Sequence, residues 1–343
     1  MIALRKIAKG WGNVRLVEME DPRPGTGEVL IRVAAAGICG TDIHIFHDVF
    51  PKVRIPVTLG HELAGEVAEV GGGVDTWRPG DRVTVESAAS FCGKCTHCLQ
   101  GQTQRCEERV ALGYGKDGGF ASYVAVRSTA LHRIPDTISL EEGALCEPLA
   151  CAVHAVMERS SLTQGSWAIV TGPGPIGLLV LQVAKAVGAQ VAVVGAAGDE
   201  GRLELASRLG AVECLKAETV GRKGVLGKGV LPKAFDVAFE CSGTRGGVLT
   251  CMEFLKRGGQ IVQVGILGKE APLDLDLVTY GEIELRGCFA HNRASWEKAV
   301  KLLEDGKVNL RPLISGIYEL GQWEEAFARF ERREGLKFLL KPP

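Results

Sequence analysis

Three side chains of the kinds that bind zinc lie within the first fifth of the chain. Cys39 belongs to the glycine-flanked segment 37–44, and His61 and Glu62 follow directly after a glycine. A thiolate, an imidazole and a carboxylate all suit Zn²⁺, and three protein ligands with one open position are typical of a catalytic site. We therefore predict a catalytic zinc site at these residues. The alternatives are a buried free thiol for Cys39 and a surface pair for His61 and Glu62.

Three further residues could assist the chemistry of this site. Thr41 and His44 follow Cys39 closely, and they could carry a proton from a hydroxyl to an imidazole. The alternative is that Thr41 caps a turn and His44 lies on the surface. Glu147 directly precedes Pro148 and offers a second carboxylate to the same metal. A carboxylate at a helix N-terminus is also favoured by the helix dipole, so a purely structural role for Glu147 is the alternative.

A second group of metal-binding side chains has the spacing C-x2-C-x2-C-x7-C, at Cys92, Cys95, Cys98 and Cys106. Four thiolates on a short loop can complete a tetrahedral Zn²⁺ shell. A closed shell leaves no position for a substrate, so we predict a structural zinc that orders a lobe at residues 90–107. The alternatives are an iron–sulfur cluster, which also uses four cysteines, and four free thiols.

A glycine-rich turn, GPGPIG at residues 172–177, matches the G-x-G-x-x-G pattern of dinucleotide sites. It follows an apolar strand-like run and opens a helix-like run, which is the context that the pattern requires. The first glycine makes the turn, the second lets the backbone approach a pyrophosphate, and the third lets helix and strand pack closely. We predict cofactor contacts at Gly172, Gly174, Pro175, Ile176 and Gly177, and also at Val264 and Gly265.

The choice between NAD and NADP depends on the next loop. A dinucleotide fold usually carries an acid at the end of its second strand, about 20 residues after the turn, to bind the ribose. Here small residues, including Ala196 and Ala197, follow the strand, and Asp199 and Arg202 come later. The small residues could admit a 2′-phosphate that Arg202 binds, or Asp199 could fold back onto the ribose. Arg202 could also simply stabilise the following helix. The sequence therefore leaves the choice between NAD and NADP open, with NAD slightly favoured.

The composition describes a large globular protein with balanced charge. The chain has 343 residues, of which 46% are hydrophobic, so it can bury a large core and form about two domains. Lys and Arg total 40, Asp and Glu total 41, and no basic run stands out, which argues against nucleic acid and membranes as partners. No apolar signal segment follows Met1, so we expect a cytoplasmic protein. In that compartment, eleven cysteines indicate metal ligands or free thiols.

The periodicity of the chain changes near Pro148. Before it, short β-like runs are separated by glycine and proline, which predicts a barrel or sandwich. After it, strand-like and helix-like runs alternate, which predicts a parallel sheet. The uncharged segment 160–184 contains the glycine turn, so we interpret it as a buried strand, turn and helix rather than a membrane span. Early strands are predicted at 29–33, 64–70 and 82–85, and later strands at 167–170, 191–194, 235–239, 260–264 and 283–287. Helices are predicted at 151–158, 202–209 and 249–256, another helix runs to residue 187, and a solvated basic loop covers 221–224.

The motifs, in this order along the chain, resemble the zinc-containing medium-chain dehydrogenases. The resemblance spans the full chain and is closest to the polyol branch, which includes sorbitol (L-iditol) dehydrogenase, with threonine 3-dehydrogenase near. It implies a GroES-like catalytic domain from residues 1–150 and 288–343 and a Rossmann domain from 151–287. It also implies catalytic zinc at Cys39 and His61, with Glu62 and Glu147 completing or exchanging in the shell, and structural zinc at the four clustered cysteines. A homo-oligomer, more often a tetramer than a dimer, is implied as well.

The function that follows is reversible oxidation of a secondary alcohol to a ketone, with hydride transfer to NAD or NADP and proton release through Thr41 and His44. Two zinc ions per chain and a small-molecule substrate are implied. Polyol enzymes of this family place an arginine just after the last Rossmann strand, near the substrate; here the nearby arginine is Arg293, whose correspondence is open. The alternatives are an L-threonine 3-dehydrogenase and a non-catalytic dinucleotide-binding protein.

Overall fold

The computed structural model describes residues 1–218 and 234–343, so the predicted loop at 221–224 lies outside the described residues. The chain forms two compact units. The first consists of Met1–Glu147, Asn292–Glu304 and Leu310–Pro343, and the second of Pro148–His291 and Asp305–Asn309.

The first unit is rich in short antiparallel strands. In chain order they are β1 (Ile2–Lys6), β2 (Val14–Glu18), β3 (Glu28–Gly37), β4 (Val57–Thr58), β5 (Glu62–Val70), β6 (Arg82–Val85), β7 (Ala88–Ser90), β8 (Val110–Ala111), β9 (Tyr123–Arg127) and β10 (Leu131–Arg133). The strands of the second unit are β11 (Trp167–Thr171), β12 (Gln190–Gly195), β13 (Glu213–Lys216), β14 (Phe235–Glu240), β15 (Leu255–Gln263) and β16 (Glu284–Gly287). The chain returns to the first unit with β17 (Ile314–Glu319) and β18 (Lys337–Lys341).

The helices are mostly short. They are α1 (Gly40–Phe46), α2 (Thr96–Leu99), α3 (Leu140–Gly143), α4 (Cys146–Val153), α5 (Pro175–Val187), α6 (Glu200–Arg208), α7 (Arg245–Phe254), α8 (Asp276–Gly281), α9 (Arg293–Glu304) and α10 (Trp323–Glu331). A π-helical turn at His154–Glu158 continues α4, and 3₁₀ turns occur at Thr103–Arg105, Ser128–Ala130, Arg311–Leu313 and Leu320–Gln322. Of the helices that the structure describes, none combines the length and apolar character needed to cross a bilayer.

The main sheet of the first unit has the strand order β10-β6-β5-β3-β18-β17, and β9 also pairs with β3. Alternate residues of β3, such as Val29, Ile31 and Val33, enter a continuous apolar core, which is the expected pattern for a strand with one buried face. The last strand, β18, pairs with β3 although about 300 residues separate them. The main sheet therefore combines strands from both ends of the chain.

The second unit contains a parallel sheet with the order β13-β12-β11-β14-β15-β16. This is the doubly wound Rossmann order, in which the strand sequence reverses between β11 and β14. The predicted α/β class is confirmed, as are the buried strand, turn and helix in segment 160–184 and the position of 283–287 as the last strand of the sheet.

The second unit differs from the prediction in several details: β15 begins at Leu255 rather than at residue 260, and the helix α8 (Asp276–Gly281) was not predicted. The helix expected at 249–256 begins earlier, because the Thr244 side chain accepts a hydrogen bond from the N–H of Gly247 at 3.0 Å and caps the helix. It also ends earlier, because Leu255 adopts an extended conformation and pairs with Phe235. The edge strand β13 was not predicted, since its mostly polar residues show no apolar run.

Candidate active site

The antiparallel register of β3 and β5 brings the three predicted zinc ligands together. Gly37, the last residue of β3, is paired with Glu62, the first residue of β5. Cys39 therefore follows one strand at the point where His61 precedes the other. The Sγ atom of Cys39, a ring nitrogen of His61 and a carboxylate oxygen of Glu62 all lie within 4.8 Å of one another. His61 and Glu62 are buried, and Cys39 is half-buried.

Asp42 links the two segments that carry Cys39 and His61, and the sequence motifs did not identify it. Its side chain is fully buried, and its carboxylate accepts hydrogen bonds from the N–H groups of Cys39, at 2.9 Å, and Gly60, at 3.3 Å. A charged acceptor shared by both segments fixes Cys39 relative to His61. The available sequence signal is an acid at the third position of a helix that starts just after Cys39.

Lys337 is a buried cation beside Glu62 that sequence reasoning also missed. Its Nζ contacts both carboxylate oxygens of Glu62 at 2.5 Å and donates to the carbonyl of Ile38 at 3.1 Å. Burial lowers the pKa of Lys337, but the negative charges of Glu62, Cys39 and Glu147 outweigh this effect and raise the pKa above its ordinary value. The ammonium group therefore stays charged. The signal that could have found it is a single lysine in the otherwise apolar run 336–340.

The charges around the three ligands fit a divalent cation. Burial lowers the pKa of His61, but the charge of Cys39, a hydrogen bond with it, and the charges of Asp42 and Glu147 raise the pKa well above its ordinary value. The surroundings of the imidazole are therefore strongly negative. His61 Nδ1 is also buried without a hydrogen-bond partner among the residues that the structure describes. Thiolate, imidazole and carboxylate in a negative, buried pocket form a donor set that suits Zn²⁺.

The remaining predicted residues lie at increasing distance from this group. Glu147, in the first turn of α4, is buried and acts electrostatically on His61, Glu62 and Lys337, but it falls outside the set of ligand atoms within 4.8 Å. The hydroxyl of Thr41 lies 3.8 Å from the Sγ atom of Cys39. His44 is exposed one helical turn further along α1, on the same face as Thr41.

The four clustered cysteines converge in the lobe between β7 and β8. Their Sγ atoms lie within 4.8 Å of one another. Cys95 precedes α2, Cys98 lies within it, and Cys106 follows a 3₁₀ turn. Hydrogen bonds from the N–H groups of Lys94 and Cys95 lower the pKa of Cys92 to about 7, which favours the thiolate that zinc binds, whereas burial raises the pKa of Cys98 to about 12. This arrangement fits a closed tetrahedral metal shell.

The glycine turn connects β11 to α5. A Cβ atom on Gly177 would lie 2.0 Å from the carbonyl oxygen of Gly172, so close packing of helix on turn requires glycine there. Among the described residues, no atom would lie within 4 Å of a Cβ atom on Gly174, and no side chain caps α5, whose first turn contains Pro175 and Ile176. The open position and the uncapped helix N-terminus fit a bound pyrophosphate.

The loop after β12 holds two predicted ribose residues as an ion pair. The carboxylate of Asp199 accepts hydrogen bonds from the N–H of Ala196, at 3.0 Å, and from Arg202, at 3.3 Å. The N–H of Ala197 donates to Glu218 at 2.9 Å. Glu218 was not expected here, because it follows β13 and lies far along the chain from the glycine motif.

Val264 and Gly265 follow β15 at the carboxyl end of the parallel sheet. Their N–H groups donate to the backbone carbonyl of Glu240, at 2.9 and 2.8 Å, which joins them to the end of β14. They therefore lie beside the point where the strand order reverses, which is where doubly wound sheets bind dinucleotides.

Arg293, the arginine that follows the last Rossmann strand, is engaged elsewhere in the first unit. Its guanidinium donates to the carbonyl of Thr129 at 2.6 Å and to Glu86 at 3.4 Å. Glu86 in turn pairs with the buried His132 at 2.8 Å. These contacts attach the start of α9 to the loops around β6 and β10, and they give Arg293 a structural role.

Comparison with known proteins agrees with this arrangement. The family model for the alcohol dehydrogenase GroES-like domain matches residues 25–136, and the model for zinc-binding dehydrogenase matches residues 175–305. The chain is 38% identical over 343 residues to a sorbitol dehydrogenase of Halalkalibacterium halodurans, covering 100% of this chain and 99% of the relative. It is 35% identical over 333 residues to an L-threonine 3-dehydrogenase of Streptomyces coelicolor, covering 95% of each.

A solved structure shows the same fold. The zinc-binding dehydrogenase from Sinorhizobium meliloti 1021 bound to NADP superposes with a TM-score of 0.90 at 32% identity, covering 99% of each chain. The β-rich first unit therefore has the GroES-like fold expected from the resemblance, and the parallel-sheet unit has the Rossmann fold.

Proposed function

The chain belongs to the zinc-containing medium-chain dehydrogenases, and we propose that it is a polyol dehydrogenase that uses NAD to oxidise a secondary alcohol to a ketone. The observation that carries this proposal is the convergence of Cys39, His61 and Glu62, whose ligand atoms lie within 4.8 Å of one another. The sorbitol dehydrogenase that matches the entire chain supports the substrate class.

Each residue of the site has a distinct proposed role. Cys39, His61 and Glu62 hold the catalytic zinc, with Glu147 available to exchange into the shell. When bound, zinc supplies a Lewis acid that promotes deprotonation of an alcohol, and nicotinamide supplies hydride acceptance. Thr41 accepts the alcohol proton at Oγ1 and passes its own toward the exposed His44.

The charge distribution favours a neutral substrate over an amino acid. Among the lysines and arginines that the structure describes, the one that pairs with the catalytic group is Lys337, through Glu62. L-Threonine would bring a carboxylate that needs a cationic partner, whereas a polyol brings hydroxyl groups that can donate to carboxylates. Threonine oxidation is therefore the second candidate, supported by the threonine dehydrogenase relative.

The loop after β12 supports NAD over NADP. Arg202 is paired with Asp199, and Lys216 is paired with Glu200 at 2.9 Å. With Glu218 also present, acidic groups outnumber basic ones among the residues of this loop that the structure describes. A 2′-phosphate would meet this negative charge, whereas ribose hydroxyls could donate to it. A ratio of kcat/KM that favours NADP⁺ would refute the assignment.

Two further properties complete the proposal. We expect two zinc ions per chain, one in the catalytic group and one in the cysteine lobe. We also expect a cytoplasmic homo-oligomer, more often a tetramer than a dimer; all eleven cysteines are free of disulfides, as a reducing compartment requires. Light scattering on the purified protein tests the oligomeric state, and cell fractionation tests the compartment.

The decisive experiment compares the wild type with Cys39→Ser. Zinc per chain is measured first, followed by initial rates with NAD⁺ and NADP⁺ on sorbitol, xylitol, butane-2,3-diol and L-threonine. We expect two zinc ions and polyol oxidation in the wild type, and one zinc ion with no turnover in the variant. Cys214→Ser, which replaces a half-buried thiol in the second unit, is the matched control and should keep two zinc ions and wild-type turnover. Full turnover in Cys39→Ser would refute the site, and oxidation of threonine alone would favour the second candidate.

A further inference from the structure

Glu240 is a fully buried carboxylate in the second unit that the proposed reaction does not use. It ends β14, next to the reversal point of the parallel sheet. Its Oε1 atom accepts hydrogen bonds from the N–H of Ser242, at 2.9 Å, from the Ser242 hydroxyl, and from Thr171 at 3.5 Å. Its Oε2 atom accepts from the N–H of Gly243, at 3.2 Å, and from Gln263 at 2.6 Å.

These five donors come from the carboxyl ends of three neighbouring strands. Thr171 ends β11, Ser242 and Gly243 follow β14, and Gln263 ends β15. None of the described lysine, arginine or histidine side chains pairs with the carboxylate. Burying an unpaired carboxylate costs several kcal/mol, and full hydrogen bonding is what makes such burial tolerable. The carboxylate therefore acts as a central acceptor that ties three strand ends together.

The surrounding glycines leave room for this carboxylate. A Cβ atom on Gly265 would lie 2.6 Å from Oε2, and one on Gly247 would lie 2.5 Å from Oε1. The loop that Glu240 ties down also packs on the glycine turn, because a Cβ atom on Gly172 would lie 2.7 Å from the Cα of Ser242. A shift of this loop would thus reach the edge of the sheet where the dinucleotide is expected.

The strand order indicates which half of the cofactor this loop serves. A dinucleotide lies across the reversal point, with its pyrophosphate at the glycine turn. The ribose loop after β12 occupies one side of that turn, so the adenosine half belongs to the β12 side. The nicotinamide half then falls on the side of β14 and β15, where Ser242, Gly243 and Gly265 lie.

We propose that Glu240 is a positioning residue that holds the loop after β14 and the end of β15 in the geometry that receives the nicotinamide half of the cofactor. This inference rests on the proposed dinucleotide binding. Glu240 acts through the loop, since its carboxylate oxygens are already occupied by protein donors. If the loop leaves this geometry, the fraction of the protein that is competent to bind the whole cofactor falls, and the apparent Kd of that cofactor rises in inverse proportion.

Glu240→Gln tests this role with little change in shape. Glutamine offers one acceptor oxygen where glutamate offers two, so at least one N–H group loses its partner. We expect the Kd of NADH, or of NADPH if the wild type prefers it, to rise about tenfold, equivalent to about 1.4 kcal/mol. The adenosine fragment of the same cofactor (AMP for NADH, adenosine 2′,5′-bisphosphate for NADPH) should bind within twofold of wild type. Both are measured by calorimetry well below the melting temperature.

Two other variants separate positioning from general stability. Gln263→Leu removes the donor to Oε2 while keeping Glu240, and it decides the question if Glu240→Gln does not fold; we expect the same selective loss. Phe235→Leu is the matched control, because it leaves a cavity at the opposite end of β14 and should lower the melting temperature without changing either Kd.

The outcomes are distinguishable. Selective loss of whole-cofactor binding supports the inference. Equal weakening of cofactor and fragment, or binding of both within twofold of wild type, refutes it while leaving the proposed function intact. A wild type that binds neither NADH nor NADPH would refute the proposed function and this inference with it.

Discussion

Replacing Lys337 with methionine should make the catalytic group bind zinc more tightly while destabilising the metal-free protein. Methionine has a similar length but no charge, so Glu62 would remain buried without its partner. Removing one member of a buried ion pair costs about 3–5 kcal/mol, because the other charge is left uncompensated. Burial already raises the pKa of Glu62, and the Lys337 charge that opposes this rise would be absent.

A bound dication can replace much of the missing charge. The zinc-loaded variant should therefore lose much less stability than the metal-free variant. By the thermodynamic cycle, the difference between the two losses equals the gain in zinc-binding free energy. If zinc recovers about 3 kcal/mol, the affinity rises about 100-fold, since each tenfold step is about 1.4 kcal/mol.

Urea unfolding of the metal-free and zinc-loaded proteins gives the two stability changes, and competition with a chelator gives the affinity independently. Lys341→Met is the matched control: it lies on the same strand, but its pair with Glu141 is 41% exposed on the lysine side and longer, at 3.4 Å. Its loss should stay within about 1 kcal/mol. Equal destabilisation of both forms of Lys337→Met, with unchanged zinc affinity, would refute the reasoning.

Three other changes test the site at separate points. Thr41→Val removes the hydroxyl beside Cys39 and should lower kcat about 100-fold or more with zinc content unchanged; wild-type kcat by steady-state assay would exclude Thr41 from the proton path. Gly174→Ala should keep the melting temperature, because its Cβ would meet no described protein atom, but it should weaken NADH binding, because the Cβ would occupy the space for the pyrophosphate. Gly177→Ala should fail to fold properly, because its Cβ would lie 2.0 Å from the carbonyl oxygen of Gly172. Equal effects of the two substitutions in thermal melts and NADH titrations would contradict the assigned turn. The zinc affinity of the cysteine lobe should fall as the pH is lowered, and more steeply below about pH 7, since Cys98, with a pKa of about 12, and Cys92, with a pKa of about 7, must both lose their protons to bind. A dye assay on Cys39→Ser isolates this zinc, and constant retention down to pH 5 would contradict the expectation.

Sequence reasoning predicted those features of the structure that local spacing determines. The cysteine lobe and the glycine turn each occupy a short stretch, so residue type and interval alone define their geometry. The alternation of strands and helices after Pro148 is equally local. These features require no knowledge of which distant segments meet.

The residues that sequence reasoning missed act across long separations or through burial. Lys337 meets Glu62 only because β18 pairs with β3, a contact that no local pattern encodes. Asp42 lies within the segment 37–44, but its hydrogen bond from Gly60 depends on the loop that precedes β5. Glu240 looks like an ordinary strand-end acid until the sheet brings five donors to it. The contacts of all three residues therefore depend on the tertiary arrangement of the chain, which local patterns do not encode.

The pairing of β18 with β3 also determines when Lys337 reaches the catalytic group during synthesis. The parallel sheet is complete once residue 287 has been made, so this sheet can form on the emerging chain. The first unit still lacks β17 and β18 at that stage, although its zinc ligands were synthesised early. Cys39, His61 and Glu62 must therefore wait for the last strand before Lys337 offsets their charge. A nascent chain that ends before that strand would expose an incomplete sheet edge and a metal-binding group that lacks its buried cation.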